Sequence, residues 1–233
     1  MKKNIGLFII LVLLVSFAHA QPAVYGAWHK KEGDIEKIIC VLPGYFSYAE
    51  FDKAAKKFVK AWGGICEAGN ENLTITIEYN TLEKNTGSQK KIAYKPGKDQ
   101  LATNVDGING QWKKLDDAAA GLAGVWRITA RESNGVMSPM QRTARKTIKI
   151  MSGTRFQWVA INTGTGEFFG TGGGTYTFNN GVYTEHIEFF PRDNSRVGAS
   201  LEFKGKVTGN QWDHSGLSSK GEPIHETWTK ESY

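Results

Sequence analysis

Leu73, Ile75, Ile77 and Tyr79 alternate with Thr74, Thr76 and Glu78. That period of two is what a strand with one buried face requires. Phe156, Trp158 and Ala160 alternate in the same way with Arg155, Gln157 and Val159. Tyr176-Thr177-Phe178 and the run from Val182 to Phe190 flank Asn179-Asn180-Gly181, and an Asn-Gly pair between two such runs signals a tight hairpin turn. Leu201 to Val207, Gln211-Trp212 and Ile224 to Lys230 read as further short strands. One stretch reads differently: Phe51, Ala54, Ala55, Phe58 and Trp62 have helical spacing, and Asp52 to Lys60 is rich in helix formers.

An internal repeat decides between the two periods. A constant offset of 110 aligns Phe46 with Phe156, Phe58 with Phe168, Gly63-Gly64 with Gly173-Gly174, Asn70 with Asn180, Thr74 with Thr184, and Ile77-Glu78 with Ile187-Glu188. Gly26-Ala27-Trp28 and Gly124-Val125-Trp126 open the two copies, and Gln111-Trp112 matches Gln211-Trp212. The counterpart of the helix-like stretch is Asn162-Thr163-Gly164-Thr165-Gly166-Glu167, which can only be a turn. Both segments are therefore expected to be strand–turn–strand. About seven or eight short antiparallel strands per copy suffice to close a small up-and-down barrel. The expected fold is all-β, with two such barrels in tandem at 21–118 and 119–233.

Composition and charge narrow the class. With 40% hydrophobic and 22% charged residues, 27 glycines and 6 prolines, the chain is globular. Lys2 and Lys3, the apolar run from Ile5 to Val15 and Ala18-His19-Ala20 form a leader of the secretory type. Residues 1–20 are thus expected to be a signal peptide, Gln21 the mature start, and the protein secreted or periplasmic, with no membrane span. The 29 basic and 23 acidic groups are spread along the chain, which excludes a nucleic-acid footprint. The densest basic cluster, Arg142, Arg145, Lys146 and Lys149, alternates with Thr147, Ile148 and Ile150 and reads as a strand with a solvated face. Two cysteines, Cys40 and Cys66, invite a disulfide in an oxidising compartment, or are two buried thiols on neighbouring strands. No Cys/His spacing suggests a metal. Nothing in the sequence speaks to oligomeric state.

The Gly-x-Trp opening of each copy, with Phe156-Gln157-Trp158, Gly172-Gly173-Gly174-Thr175-Tyr176, Tyr183-Thr184-Glu185 and Glu226-Thr227-Trp228, resembles the calycin superfamily, and within it the lipocalin-like domains of secreted proteins from Bacteroidetes. The resemblance spans nearly all of the second copy and is fainter in the first. It implies that Trp126 plugs the closed end of a barrel beneath Lys230, with Trp28 the corresponding residue of the first copy.

A small barrel either fills its interior or holds one ligand. Glu185 stands where the first copy has Ile75, on the face assigned to Tyr183, Ile187 and Phe189. A carboxylate on an apolar face is costly unless paired or protonated. It reads as a ligand anchor or an acid/base group with a raised pKa, or else as a rim residue or a partner of an arginine. Glu226, two residues before Trp228, gives a second inward carboxylate, and such pairs can run acid/base chemistry. Glu188 repeats as Glu78, so a structural role common to both barrels is expected. His214 and His225 could flank the pocket, ligate a haem iron or be solvated, and the solvated reading is preferred. His186 alternates away from Glu185. The run Gly170 to Gly174 precedes a strand, so close strand packing explains it better than a phosphate cradle.

The expected function is binding of a small, largely apolar molecule in the second barrel, lined by Phe156, Trp158, Tyr176, Tyr183, Glu185, Ile187, Glu226 and Trp228. The first barrel, more aliphatic along 73–79, is expected to be packed shut. The alternatives are an isomerase or hydrolase using Glu185, Glu226 and a histidine such as His214, and a cell-envelope interaction module without a small ligand.

Overall fold

The computed structural model describes residues 22–105, 107–119 and 121–233, so the expected signal peptide lies outside the described residues. Eight strands form the first closed barrel: β1 Gly26–Glu32, β2 Ile35–Leu42, β3 Gly44–Asp52, β4 Lys57–Ala68, β5 Asn72–Asn80, β6 Gln89–Pro96, β7 Gln100–Thr103 and β8 Gly110–Asp116. Nine follow: β9 Gly124–Ser133, β10 Val136–Pro139, β11 Arg145–Met151, β12 Arg155–Asn162, β13 Glu167–Asn179, β14 Val182–Phe189, β15 Ser200–Thr208, β16 Gln211–Leu217 and β17 Pro223–Lys230. The strand β17 closes onto β9, so β9 and β11–β17 make a second eight-stranded barrel. The short β10 pairs with the far half of β9 as an added flap. All pairings are antiparallel between neighbours, the up-and-down order that removes sheet edges. No helix among the described residues is long and apolar enough to cross a membrane.

The helix-like stretch is a hairpin, as the repeat requires: β3 and β4 flank a four-residue turn at 53–56 in which Lys56 takes φ 54°. The hairpin between β13 and β14 turns on Asn180 and Gly181, both at positive φ, as an Asn-Gly turn demands.

The two barrels pack side by side, and this explains why several strands read as nearly continuous apolar runs. Along β2, Ile39 and Val41 face the first barrel's interior, while Ile38, Cys40 and Leu42 face the second barrel. From the other side Val125, Ile148, Ile150, Val159, Ile161 and Phe189 meet them. Phe189 lies against Phe51 and Phe58, with ring centroids 4.9 and 5.8 Å away. At one end of this face Asp116 accepts hydrogen bonds from Ser152, Gly153 and Thr154 of the β11–β12 turn.

A repeated bulge directs charge to the same face. The ladder slips between Gly63 and Gly64 opposite Tyr79 and Ile77, and identically between Gly173 and Gly174 opposite Phe189 and Ile187. A Cβ on Gly64 or Gly174 would lie 1.9 Å from the carbonyl oxygen of Thr76 or His186, so only glycine fits. The extra residues are Glu78 and Glu188, and the slip moves Tyr79 and Phe189 out of the interiors and into the interface. Phe189 therefore does not share a face with Glu185, contrary to simple alternation. Glu78 accepts from Tyr45 at 2.9 Å and pairs with Lys146 of the other barrel at 2.7 Å. Glu188 pairs with Lys53 of the first barrel at 2.9 Å and with Arg155 at 2.5 Å. The structural role expected of this repeated carboxylate is to join the barrels.

One open alternative is decided, for the buried thiols, and one expectation is corrected. Cys40 and Cys66 are free, buried and separated by β3; Cys40 faces the interface and Cys66 the first barrel's interior, so no disulfide joins them. Burial pushes both thiols up to about 12. The basic cluster has no solvated face along β11, because Ile148 and Ile150 fill the interface, Lys146 bridges to Glu78, and Lys149 points into the second barrel.

Phe189→Ala empties the middle of the shared face. It is expected to lower the unfolding free energy by about 3–5 kcal/mol, measured by urea denaturation.

Candidate functional site

The closed end of each barrel is built alike. Trp28 Nε1 donates to Val24 O at 2.8 Å and Trp126 Nε1 to Leu122 O at 2.7 Å. Lys230 on β17 holds its ammonium 5.7 Å from the Trp126 ring, and Lys114 on β8 sits 5.3 Å from Trp28. The first barrel thus has a lysine in the same role, unnoticed in the sequence because the Gln-Trp match aligned β8 with β16. Closure onto β1 and β9 makes β8 the equivalent of β17, and Trp112 the equivalent of Trp228.

The interiors diverge. In the first barrel Trp28, Phe46, Tyr48, Trp62, Ile75, Ile77, Ile108 and Trp112 fill the space. Trp62 stacks on Phe46 at 4.8 Å, and the β7–β8 loop tucks Ile108 beneath Trp112. Strand registers give the corresponding residues of the second barrel. Ile39, opposite Trp28, becomes Lys149, opposite Trp126. Ile75 becomes Glu185, and the facing pair Thr103 and Gly110 becomes His214 and Glu226. Trp62 becomes Gly172, against which the Trp158 indole rests so closely that a Cβ would lie 2.6 Å from its nitrogen.

The result is a cavity of about 660 Å³ opening at the end away from Trp126. Its apolar wall comes from Ile128, Phe156, Trp158, Ile187, Phe190, Leu201, Phe203, Ile224 and Trp228, and its mouth carries Arg192, Lys220 and Glu222. Of the eight residues expected to line a pocket, Phe156, Trp158, Glu185, Ile187, Glu226 and Trp228 do so. Tyr183 stands behind Glu185, and Tyr176 lies toward the closed end, donating to Ser152 O at 2.7 Å.

One charged pair, Lys149 with Glu185, is buried in the interior, and a second joins buried Glu226 to Arg131, whose side chain is 59% exposed at the rim. Lys149 Nζ donates to Glu185 Oε1 at 2.7 Å, and the Tyr183 hydroxyl donates to the same oxygen at 2.9 Å. The ammonium also lies 4.9 to 5.7 Å from the ring centroids of Tyr183, Phe203, Trp212 and Trp228. Carboxylate and rings together offset its desolvation. Glu226 accepts from Arg131 at 2.6 Å and from Trp228 Nε1 at 3.1 Å. The sequence missed Lys149 and Arg131. Lys149 would have emerged had the 110 offset been extended back to Ile39.

His214 is the other correction. It is 1% exposed, packed against Phe203 at 4.2 Å and Trp212 at 5.1 Å, not solvated. Neither ring nitrogen has a hydrogen-bond partner, and Nδ1 stands 3.7 Å from Glu226. Burial, reinforced by Lys149, holds its pKa well below 6.5, so the ring is neutral at pH 7. His225 is solvated as expected, bridging Glu132 and Asp213 at 2.7 and 2.9 Å. His186 faces away from Glu185 and bonds Ser200. Among the described residues no three His, Cys, Asp or Glu side chains converge as a metal site.

No family model matches the sequence, and no curated protein matches it. Among solved structures the chain is similar to a lipocalin-like protein from Bacteroides uniformis, at 14% identity over 47% of this chain and 98% of that one, with a TM-score of 0.34. The architecture itself, two closed eight-stranded up-and-down barrels, is what carries the assignment of fold. The chain is a tandem of closed, eight-stranded up-and-down barrels. The first is packed by its aromatic and aliphatic core and keeps a smaller, polar-rimmed recess of about 420 Å³ beside Trp62 and Ile108; the second is hollow and internally charged.

The buried imidazole makes the second barrel pH-sensitive. As pH falls through about 6.5 the unfolded chain protonates at this position while the folded one does not. Stability is therefore expected to fall as pH drops below about 6.5, with a slope approaching about 1.4 kcal/mol per pH unit while the folded ring stays neutral. His214→Phe should remove that slope, measured as the difference between urea denaturation of variant and parent across this range. The difference cancels the opposite contribution of His225, whose pKa its acidic neighbours raise.

Proposed function

We propose that the second barrel binds a small, largely apolar molecule carrying a polar group. The observation that supports this most is the contrast between copies. Where the first barrel has Trp62 packed on Phe46, the second has Gly172 and an open, aromatic-walled volume of about 660 Å³, within the range of ligand pockets. The walls would supply apolar burial, and the groups around Glu185 and Glu226 would orient the polar end. The catalytic alternative fits less well, because a general acid or base needs a carboxyl free to exchange a proton and both carboxylates are held by cations. The leader from Lys2 to Ala20 supports export, so the ligand would be met outside the cytoplasm.

Native mass spectrometry of protein purified from its own host is the test. A bound mass that is lost on denaturation is expected. Ala160, which lines the cavity, offers the control: Ala160→Phe fills the space, and should abolish the bound mass while leaving the far-UV circular dichroism of the barrels unchanged. A parent protein that comes free of any ligand, and that takes up no apolar probe when titrated, would overturn the reading.

A further inference from the structure

The cavity brings its own charges, and they are already compensated. Lys149 is matched by Glu185 and Arg131 by Glu226, at 2.7 and 2.6 Å. The aromatic box that could have received a cationic ligand is filled by the Lys149 ammonium, with four ring centroids within 5.7 Å. The remaining titratable side chain, His214, is enclosed among aromatic rings. With the ring neutral, the inner cavity sums to no net charge. A carboxylate entering here would add a second anion beside a lysine already committed to Glu185. An ammonium would find its carboxylates taken and its aromatic box occupied. Either leaves a charge uncompensated beside the buried Lys149 and Glu185, where solvation is reduced, which is unfavourable.

Resting on the reading of the second barrel as a binding barrel, we propose that its ligand class is uncharged amphiphiles, an apolar body bearing an alcohol, ketone or amide, and that the buried Lys149–Glu185 pair, with Glu226 already held by Arg131 at the rim, acts as a filter against amphiphilic acids and amines. A neutral hydrogen-bonding group can donate to a carboxylate or accept from Lys149 or Arg131 without separating either pair. The charges at the mouth, Arg192, Lys220 and Glu222, are exposed and of both signs. They are screened by solvent and impose little selection of their own.

Isothermal titration calorimetry of the protein with decanol, decanoate and decylammonium tests this, because the three share one apolar body. Decanol is expected to bind at least about tenfold more tightly than either ion. Unpairing the resident charges should then redirect the preference. Glu185→Gln leaves Lys149 without its carboxylate and should make decanoate the tightest of the three; Lys149→Gln should do the same for decylammonium. If a variant fails to fold, the ranking on the unmodified protein decides. Decanoate or decylammonium binding as tightly as decanol, or variants that fold and leave the ranking unchanged, overturns the filter while leaving the barrel a binder. Binding of none of the three overturns the reading on which the filter rests.

Discussion

The face shared by the two barrels is the constraint on which the remainder of the structure depends. A small closed barrel needs only its interior to be apolar, yet here β2, β3, β11 and β12 are buried on both sides. Each copy thereby buries apolar side chains that a solitary barrel would leave in water, and apolar burial is the main favourable term in folding. The bulges at Gly64 and Gly174 belong to the same device. They turn Tyr79 and Phe189 outward into the contact and present Glu78 and Glu188 to cations of the opposite barrel.

With that face secured, the second interior can hold what an isolated small barrel tolerates badly. A buried ion pair, a second buried carboxylate held by an exposed arginine, and a histidine without partners contribute little to stability and are often neutral or unfavourable relative to apolar residues of the same size. The first barrel shows the uncharged version of the same positions, with Ile39, Ile75, Thr103 and Gly110 where the second has Lys149, Glu185, His214 and Glu226. The comparison separates what the fold requires from what one copy has added. Trp28 and Trp126 with their overlying lysines belong to the first category, and the charged floor with its missing tryptophan belongs to the second.

The fold was legible in the sequence because period-two alternation and a long internal offset report on local geometry and on duplication, neither of which needs tertiary knowledge. The same offset exposed Glu185, since a carboxylate standing where its twin has isoleucine is visible without coordinates. Lys149 escaped because its neighbours, Ile148 and Ile150, were read as the buried face of a one-sided strand, whereas the second barrel buries both faces. His214 escaped for a related reason: its equivalent is Thr103 on β7, and the Gln-Trp match placed the wrong strand beside it. Between disulfide and buried thiols the sequence could not choose, because the choice turns on direction: Cys40 and Cys66 lie on opposite sides of the sheet. Facing direction follows from how the barrels pack, and no single strand records that.

The side-by-side packing also divides the second barrel by mobility. Strands β11 and β12 cannot part without opening the interface core, so their backbone openings approach the cost of global unfolding. Strands β15 and β16 face solvent along much of their length, and the segments between β14 and β15 and between β16 and β17 frame the mouth. Low-energy openings therefore concentrate on the wall away from the first barrel, on the slower timescale of local unfolding where a loop must be released. The first barrel acts as a backing plate for one wall of the second, and leaves the opposite wall as the one free to open.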